Sequence, residues 1–223
     1  MNTCFIFGAG DDCGMLERPG ADDLIIAADG GYISCRLAGI TPDILIGDFD
    51  SIDTLPEGVV TKKLPVEKDD TDTIAALRLG LEQGFRRFVI YGGTGGRRPE
   101  HTMANLQALA FLCANNARGL LYGNGWVCTV IEQETVTFPE TCKGNFSIFA
   151  FGGPVTGLTI RGLKYELENA ELHPDFPLGV SNSFTGRPAE ISVQTGRLLL
   201  WFDTDGTEPL FLPTTEQTEE VDS

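Results

Sequence analysis

The chain has 223 residues and a formal net charge of −16 at pH 7, from 16 Lys and Arg against 32 Asp and Glu. This length accommodates one large or two modest domains, and 42% hydrophobic residues suffice for a core. The acidic balance argues against a nucleic-acid or membrane partner, because both kinds of surface attract basic patches.

The N-terminus carries neither a basic segment nor a long apolar run, so we predict no signal peptide. No stretch reaches the roughly 20 apolar residues that a membrane span needs. The six cysteines form no Cys-x-x-Cys pair and several lie in apolar runs, which favours free thiols in a reducing compartment. A cytoplasmic protein is therefore expected, and two distant histidines, His101 and His173, do not indicate a zinc site.

Up to about Tyr122 the pattern alternates between strands and helices, which predicts a parallel sheet covered by helices. In chain order, the predicted elements are strands over 3–7 and 24–28, a helix over 32–38, strands over 44–46 and 59–64, a helix carrying Ile74, Leu77 and Leu81, a strand over 88–90 and a helix over 102–113.

Acidic residues follow two of these strands. Asp29-Gly30-Gly31 comes after the strand over 24–28, and Gly47-Asp48-Phe49-Asp50-Ser51 comes after the strand over 44–46. Ligands of an open parallel sheet bind outside the carboxyl ends of its strands. Since Mg²⁺ prefers carboxylate and phosphate oxygens, these residues predict a magnesium site. For an isolated Asp-x-Asp, a solvated acidic turn is the alternative.

A third acidic segment, Lys68-Asp69-Asp70-Thr71-Asp72, precedes the helix around Leu77. Asp70 or Thr71 is a plausible N-cap, which places Asp72 in the first helical turn. Plain helix capping is the alternative interpretation. Lys68 could bind phosphate or pair with Asp69 or Asp70.

The strand over 88–90 is followed by the glycine-rich segment Tyr91–Arg98. Glycine turns between a strand and a helix present backbone N–H groups to anions, and Arg97 and Arg98 add positive charge. The segment matches neither a P-loop nor the G-x-G-x-x-G fingerprint. Together with the acidic strand ends, it predicts a cleft for Mg²⁺ and a polyphosphate.

From about Trp126 onward, short β-branched and aromatic runs predict an antiparallel sandwich or barrel. These predicted strands cover residues 127–131, 135–138, 146–151, 158–160, 189–193 and 198–202. We expect an α/β domain over residues 1–125, a β-sandwich domain over 126–205 and an acidic tail over 206–223, disordered at its end.

The acidic and glycine-rich motifs of the first domain resemble, in their order and spacing, those of the thiamine pyrophosphokinase family. They are Asp29-Gly30-Gly31, Gly47-Asp48-Phe49-Asp50-Ser51, Lys68-Asp69-x-Thr71-Asp72 and Gly95-Gly96-Arg97. The resemblance extends from about Cys4 to Phe202. Gly162-Leu163-Lys164-Tyr165-x-Leu167 and Ser181-Asn182-Ser183-Phe184 resemble that family's C-terminal motifs. The resemblance implies transfer of the diphosphoryl group of ATP to the hydroxyethyl oxygen of thiamine, giving thiamine diphosphate and AMP. It also implies a homodimer in which the sandwich of one subunit faces the α/β domain of the other across the thiamine pocket.

The resemblance assigns roles to individual residues. Asp48, Asp50 and Asp72 are the expected Mg²⁺ ligands, and Asp29 and Asp69 are the next candidates. Asp69 is also an expected catalytic carboxylate. Alternatively, Asp72 or Asp48 hydrogen-bonds or deprotonates the attacking hydroxyl. Phe184 is expected to stack on the thiamine rings, and Ser181 and Asn182 to hydrogen-bond the pyrimidine. The remaining expected substrate-binding residues are Asp29, Gly30, Lys68, Thr71, Thr94, Gly95, Gly96, Arg97 and Glu100.

One departure from the family pattern is Arg98-Pro99-Glu100-His101, where the family has an Asp-His pair one residue earlier. Glu100 is expected to substitute for that aspartate, since its longer side chain can reach a similar point. Three rival functions stay open. They are a pyrophosphokinase acting on another alcohol such as a hydroxymethylpterin, a haloacid-dehalogenase-type phosphatase, and an inactive thiamine- or nucleotide-binding protein. The phosphatase family places its Asp-x-Asp after the first strand, whereas here the motif follows the third.

Overall fold

The computed structural model describes residues 2–49, 58–65, 69–96, 98–204 and 210–212. The chain forms two compact units, Met1–Val130 and Ile131–Ser223. The end of the acidic tail, predicted to be disordered, lies outside the described residues. In the described part of the chain, no helix is long and apolar enough to cross a membrane.

The first unit alternates strands with helices. Its elements are β1 (Thr3–Phe7), β2 (Leu24–Ala28), α1 (Gly31–Leu37), β3 (Ile44–Gly47), β4 (Val60–Lys63), α2 (Asp72–Glu82), β5 (Arg87–Tyr91), α3 (Pro99–Ala114), β6 (Arg118–Gly123) and β7 (Trp126–Glu132), whose last two residues belong to the second unit.

The strands of this unit lie in the order β7-β6-β5-β1-β2-β3-β4. All neighbours are parallel except β6 and β7, which are antiparallel. From β1 the chain builds outward to β4, then returns to place β5 on the other side of β1. Such a reversal opens a crevice at the carboxyl ends of the two central strands, where ligands of open α/β sheets bind.

Burial explains why these segments are strands. Every residue of β1 is buried, as expected for a central strand covered on both faces. Helix α1 packs on β1 and β2, α2 on β1 to β3, and α3 on β6. Strand β4 is exposed throughout and ends in Lys62 and Lys63, charges that discourage pairing with another chain at the sheet edge.

The second unit is antiparallel. Its elements are β8 (Thr135–Phe138), β9 (Asn145–Ala150), β10 (Val155–Arg161), β11 (Leu167–Leu172), β12 (Asn182–Ser183), β13 (Ala189–Ser192), β14 (Arg197–Asp203) and β15 (Leu210–Leu212). One sheet has the order β11-β10-β13-β8-β15, and in the other β12 and β14 flank β9.

An aromatic cluster joins the two sheets of this unit. The ring of Phe138 on β8 lies 5.3 Å from that of Phe146 on β9 and 5.0 Å from that of Phe202 on β14. Residues of both sheets thus interdigitate in one core, as in a β-sandwich. The predicted fold class, a parallel α/β sheet followed by an antiparallel sandwich, is confirmed.

The predicted elements all occur; β1, β2 and β8 have the predicted ends, and the ends of the other strands are shifted. Helix α3 begins at Pro99, three residues before the predicted start, because proline is favourable in a first helical turn. Four strands were not predicted, β6, β11, β12 and β15. Strand β11 has a single buried residue, Leu172, so its sequence lacks a buried apolar run, and β12 has only two residues.

Candidate active site

A cavity of about 600 Å³ lies at the carboxyl ends of the central strands of the first unit. It is bounded by the segments after β1, β2, β3 and β5 and by the N-terminal turns of α2 and α3. Its lining residues are Gly8, Ala9, Gly10, Ala28, Asp29, Asp48, Thr71, Asp72, Thr73, Gly92, Gly93, Gly95, Gly96, Arg98, His101 and Asn105.

The backbone around Asp29 directs the end of β2 into this cavity. Asp29 has a positive φ of 45°, a conformation that aspartate tolerates better than most residues. Its N–H donates to the carbonyl oxygen of Ile46 at 2.8 Å, which ties the end of β2 to β3. A Cβ atom at Gly47 would lie 3.0 Å from the Cβ of Asp29, so glycine permits this close approach. Asp29 and Asp48 consequently line the same wall.

Helix α2 brings a third carboxylate. The Thr71 hydroxyl accepts a hydrogen bond from the Ile74 N–H at 3.2 Å, which makes Thr71 the N-cap and places Asp72 in the first turn. Asp70 instead pairs with Arg78 at 2.9 Å. The positive end of the helix dipole therefore faces the cavity beside Asp72 and favours anions there.

The glycine-rich turn after β5 is fixed by contacts on several sides. The Gly95 N–H donates to the Thr102 hydroxyl at 3.1 Å, and the Gly96 N–H donates to the Asp11 carboxylate at 3.0 Å. The buried amide of Asn105 donates to the Gly93 carbonyl oxygen at 2.7 Å. Two of the N–H groups expected to meet phosphate are thus held by protein side chains.

At the start of α3, the adjacent residues Glu100 and His101 differ in whether they line the cavity. Arg98 and His101 line the cavity, whereas Glu100 does not. The exposed Glu100 carboxylate accepts a hydrogen bond from Arg98 at 2.9 Å, and this bond lowers the pKa of Glu100. Glu100, which was expected among the substrate-binding residues, therefore bonds Arg98 and does not line the cavity.

The carboxylates of Asp29, Asp48 and Asp72 give the cavity oxygen donors of the kind that Mg²⁺ prefers. Within the described ranges, no three Asp, Glu, His or Cys side chains are close enough together to hold a metal by themselves. Mg²⁺ usually keeps waters and binds substrate phosphates beside one or two carboxylates, so this donor set fits that mode. Asp50, Lys68 and Arg97, all predicted site residues, lie outside the described residues.

Of the ten predicted first-unit site residues that the structure describes, six line the cavity and four do not. Asp29, Asp48, Thr71, Asp72, Gly95 and Gly96 line the cavity, and Gly30, Asp69, Thr94 and Glu100 do not. Sequence reasoning missed Gly8, Gly10 and Asn105. The signal for the first two was a Gly-x-Gly directly after β1, at the strand where the sheet order reverses.

The second unit contains a mostly apolar cavity of about 490 Å³, which is lined in part by residues of the two C-terminal motifs. Ser181 and Asn182 line it together with Tyr165 and Leu167. The side chain of buried Asn182 accepts from the Tyr165 N–H at 2.9 Å and donates to the Tyr165 carbonyl oxygen at 2.7 Å. These two bonds lock the motifs against each other, so the Asn182 amide is engaged by the protein backbone.

Phe184 does not line that cavity. Its half-buried ring lies 5.4 Å from Phe138 and 5.5 Å from Phe146, within the aromatic cluster of the sandwich. Tyr165 is the exposed aromatic residue at this site, with a relative accessibility of 59%.

The chain matches known families along most of its length. The catalytic domain of thiamin pyrophosphokinase matches residues 20–120, and the vitamin B1 binding domain of thiamin pyrophosphokinase matches residues 132–200. A thiamine pyrophosphokinase from Bacillus subtilis (strain 168) is 30% identical over 189 residues, which cover 82% of this chain and 88% of that protein.

Solved structures agree. The crystal structure of thiamine pyrophosphokinase from Bacillus subtilis has a TM-score of 0.81 at 26% identity, covering 92% of this chain and 100% of the other. The enzyme of that name from Geobacillus thermodenitrificans has a TM-score of 0.77 at 26% identity, with coverage of 91% and 98%. Since the matches to catalytic and binding domains follow each other in order over more than half of its length, the chain belongs to the thiamin pyrophosphokinase family.

Proposed function

We propose that this protein is a thiamine diphosphokinase, which transfers the diphosphoryl group of ATP to the hydroxyethyl oxygen of thiamine and releases AMP. The observation that carries the proposal is the meeting of Asp29, Asp48 and Asp72 with a glycine-rich turn at the reversal point of the sheet. Carboxylates facing a phosphate-type turn suit a metal-bound polyphosphate, because without a cation they would repel it.

The chain's own groups then hold ATP by its phosphates. The N-terminus of α2, the turn over Gly92–Gly96 and the Arg98 guanidinium all border the cavity and favour negative charge. Arg97 and Lys68 are proposed to add positive charge to the same phosphates. Transfers of this kind depend mainly on positioning and charge neutralisation, and little covalent work falls to the protein.

Mg²⁺ is the proposed cofactor, held by Asp48 and Asp72 and, as the sequence suggests, by Asp50. When bound, it neutralises the charge on the phosphate oxygens. We propose that Asp72 or Asp48, which both line the cavity, hydrogen-bonds the attacking thiamine hydroxyl or receives its proton. The hydroxyethyl oxygen of thiamine attacks the β-phosphorus of ATP in line, and AMP departs as the leaving group.

Thiamine binding is proposed for the second unit, at the cavity that holds Tyr165, Ser181 and Asn182. Its apolar lining suits flat heterocyclic rings, and Phe184 supports the cavity from the aromatic cluster behind it. We propose that a homodimer brings this cavity of one subunit to the phosphate cavity of the other, and that the protein works in the cytoplasm.

The test is to incubate the purified protein with ATP, Mg²⁺ and thiamine and to measure thiamine diphosphate and AMP together. Both products should appear in equal amounts. Asp72→Asn should lower turnover at least about 100-fold, since it removes a carboxylate from the reacting space. Asp70→Asn is the matched control, because it removes the same charge from a neighbouring residue that pairs with Arg78.

The other outcomes separate the rival functions. Release of ADP or free phosphate would identify a kinase or a phosphatase and contradict diphosphoryl transfer. Turnover with a hydroxymethylpterin but not with thiamine would show that the enzyme is a pyrophosphokinase specific for another alcohol. Thiamine binding without any product would indicate an inactive binding protein.

A further inference from the structure

The segment directly after β1 runs alongside the glycine-rich turn after β5. The Gly8 N–H donates to the Tyr91 carbonyl oxygen at 2.8 Å, and the Gly10 N–H donates to that of Gly92 at 2.7 Å. The next residue, Asp11, makes two contacts with the turn. Its N–H donates to the Thr94 carbonyl oxygen at 2.8 Å, and its carboxylate accepts from the Gly96 N–H at 3.0 Å.

We propose that Asp11 is a positioning residue for ATP, which fixes the glycine-rich turn in its phosphate-binding shape through the Gly96 N–H. The inference rests on the proposed function, since it takes this turn to be the phosphate site. Neither the motif pattern nor the family resemblance gave Asp11 a role.

The turn needs such a partner because its glycines are conformationally free. Gly92, Gly95 and Gly96 all have positive φ, at 61°, 71° and 73°. Glycine loses more conformational freedom on ordering than any other residue, so an unrestrained turn would lose this freedom when the nucleotide binds. A hydrogen bond from the Gly96 N–H to the Asp11 side-chain oxygen restrains the turn before the nucleotide binds.

The position of Asp11 separates this role from direct contact with ATP. Gly10, Gly95 and Gly96 line the cavity but Asp11 does not, so its carboxylate contacts the turn without lining the space proposed for ATP. A negative charge near a phosphate site would by itself weaken ATP binding. The useful property of Asp11 is therefore its acceptor oxygen, and an asparagine can supply that oxygen without the charge.

The experiment compares Asp11→Ala, Asp11→Asn and Asp12→Ala with the unmodified protein. Asp12 is the matched control, an exposed neighbour whose carboxylate accepts from the Gly14 N–H within its own loop at 2.9 Å. ATP binding is measured by calorimetry with MgCl₂, and KM for ATP and kcat are measured separately.

We expect Asp11→Ala to weaken ATP binding and raise KM for ATP about three- to tenfold, the effect of losing one hydrogen bond, with kcat within about twofold. Asp11→Asn should stay within about twofold of the unmodified protein, and Asp12→Ala should match it. Because Asp11 is exposed, none of these variants removes core packing.

Three results would overturn the proposal. They are unchanged ATP affinity in Asp11→Ala, tighter binding in that variant, or equal losses in Asp11→Ala and Asp11→Asn. Amide hydrogen exchange of Gly96 in the nucleotide-free protein gives a second readout that needs no activity. Asp11→Ala should accelerate it at least about tenfold and Asp11→Asn should not. If the unmodified protein binds no ATP, the proposed function fails, and this exchange rate still decides whether Asp11 fixes the turn.

Discussion

Thr129 carries a buried hydroxyl that makes no hydrogen bond to any described residue. Such a group loses its water partners on folding without gaining others, which costs about 1–3 kcal/mol. Thr129→Val keeps the shape and removes the hydroxyl, so the free energy of unfolding should stay equal or rise by about 1 kcal/mol. Urea denaturation measures it. Thr129→Ser is the control: it keeps the hydroxyl, loses a methyl group and should destabilise the fold. A loss of more than 1 kcal/mol in the valine variant would reveal a partner for the hydroxyl.

Burial raises the pKa values of four cysteine thiols, those of Cys4, Cys13, Cys35 and Cys128. All six cysteines are free, and burial raises the pKa of Cys35 to about 12 and the pKa values of Cys4 and Cys128 well above the usual range. Since only the thiolate reacts, these three should resist a thiol reagent at pH 8 in the folded protein. Half-buried Cys113 and Cys13 should react first, even though burial also raises the pKa of Cys13. All six should react in denaturant, and rapid native labelling of Cys35 would contradict its burial.

The same shifts fix the sign of the alkaline stability change. A thiol whose pKa is raised by folding contributes stability that is complete below its unfolded pKa, near 9, and is lost as the pH rises through the folded value. Tyr91 behaves alike, because burial raises its pKa from 10 to about 12. Unfolding free energy should therefore fall between pH 9 and pH 12, and urea titrations at pH 8 and pH 10.5 should show it. Stability that rises over this interval would contradict the burial of these groups.

At the scale of the elements, α2 approaches the sheet through a glycine. A Cβ atom at Gly80 would lie 2.6 Å from the Phe88 ring and 2.9 Å from the Cys4 sulfur. Alanine is favoured over glycine in a helix by about 1 kcal/mol, but overpacking a core costs about 1–3 kcal/mol. The second effect should win, because the Phe88 ring and Cys4 are themselves fully buried. We expect Gly80→Ala to lower the unfolding free energy by about 1–2 kcal/mol.

Chemical denaturation checks this expectation, with Gly153→Ala as the control. Gly153 lies in the loop between β9 and β10, and a Cβ atom there would meet no atom within 4 Å. That variant should stay within about 0.5 kcal/mol of the unmodified protein. A stabilised Gly80→Ala protein would mean that α2 can move away from β1 and β5 at little cost.

The elements also show what the sequence could and could not predict. Strands β1 and β8 were predicted to their ends, because β1 is a continuous apolar run and β8 alternates buried with half-buried residues. The convergence of Asp29, Asp48 and Asp72 followed from one rule, that parallel strands end at one edge of the sheet. No such rule links the Asn182 amide to the backbone of Tyr165, since that contact exists only once β12 meets the segment that follows β10.

At the scale of the whole molecule, the net charge of −16 means that the excess acidic side chains repel one another. A net charge far from zero disfavours the compact state, and salt screens it, since the Debye length falls from about 30 Å at 0.01 M to about 8 Å at 0.15 M. Raising KCl over this range should therefore increase Tm by a few degrees. A Tm that falls with KCl would show that local ion pairs, such as Arg87 with Glu17, outweigh the general repulsion.

Magnesium should add a second, local effect to this screening. The cavity concentrates Asp29, Asp48 and Asp72, so a divalent cation bound there stabilises the folded protein by mass action. At matched ionic strength, Tm should be higher in MgCl₂ than in KCl. Asp72→Asn should lose most of that additional rise while keeping the response to KCl. Asp70→Asn removes an equal charge beside Arg78 and should keep both responses. Equal Tm values in the two salts, or equal losses in the two variants, would mean that Mg²⁺ acts on the general charge and not at the cavity.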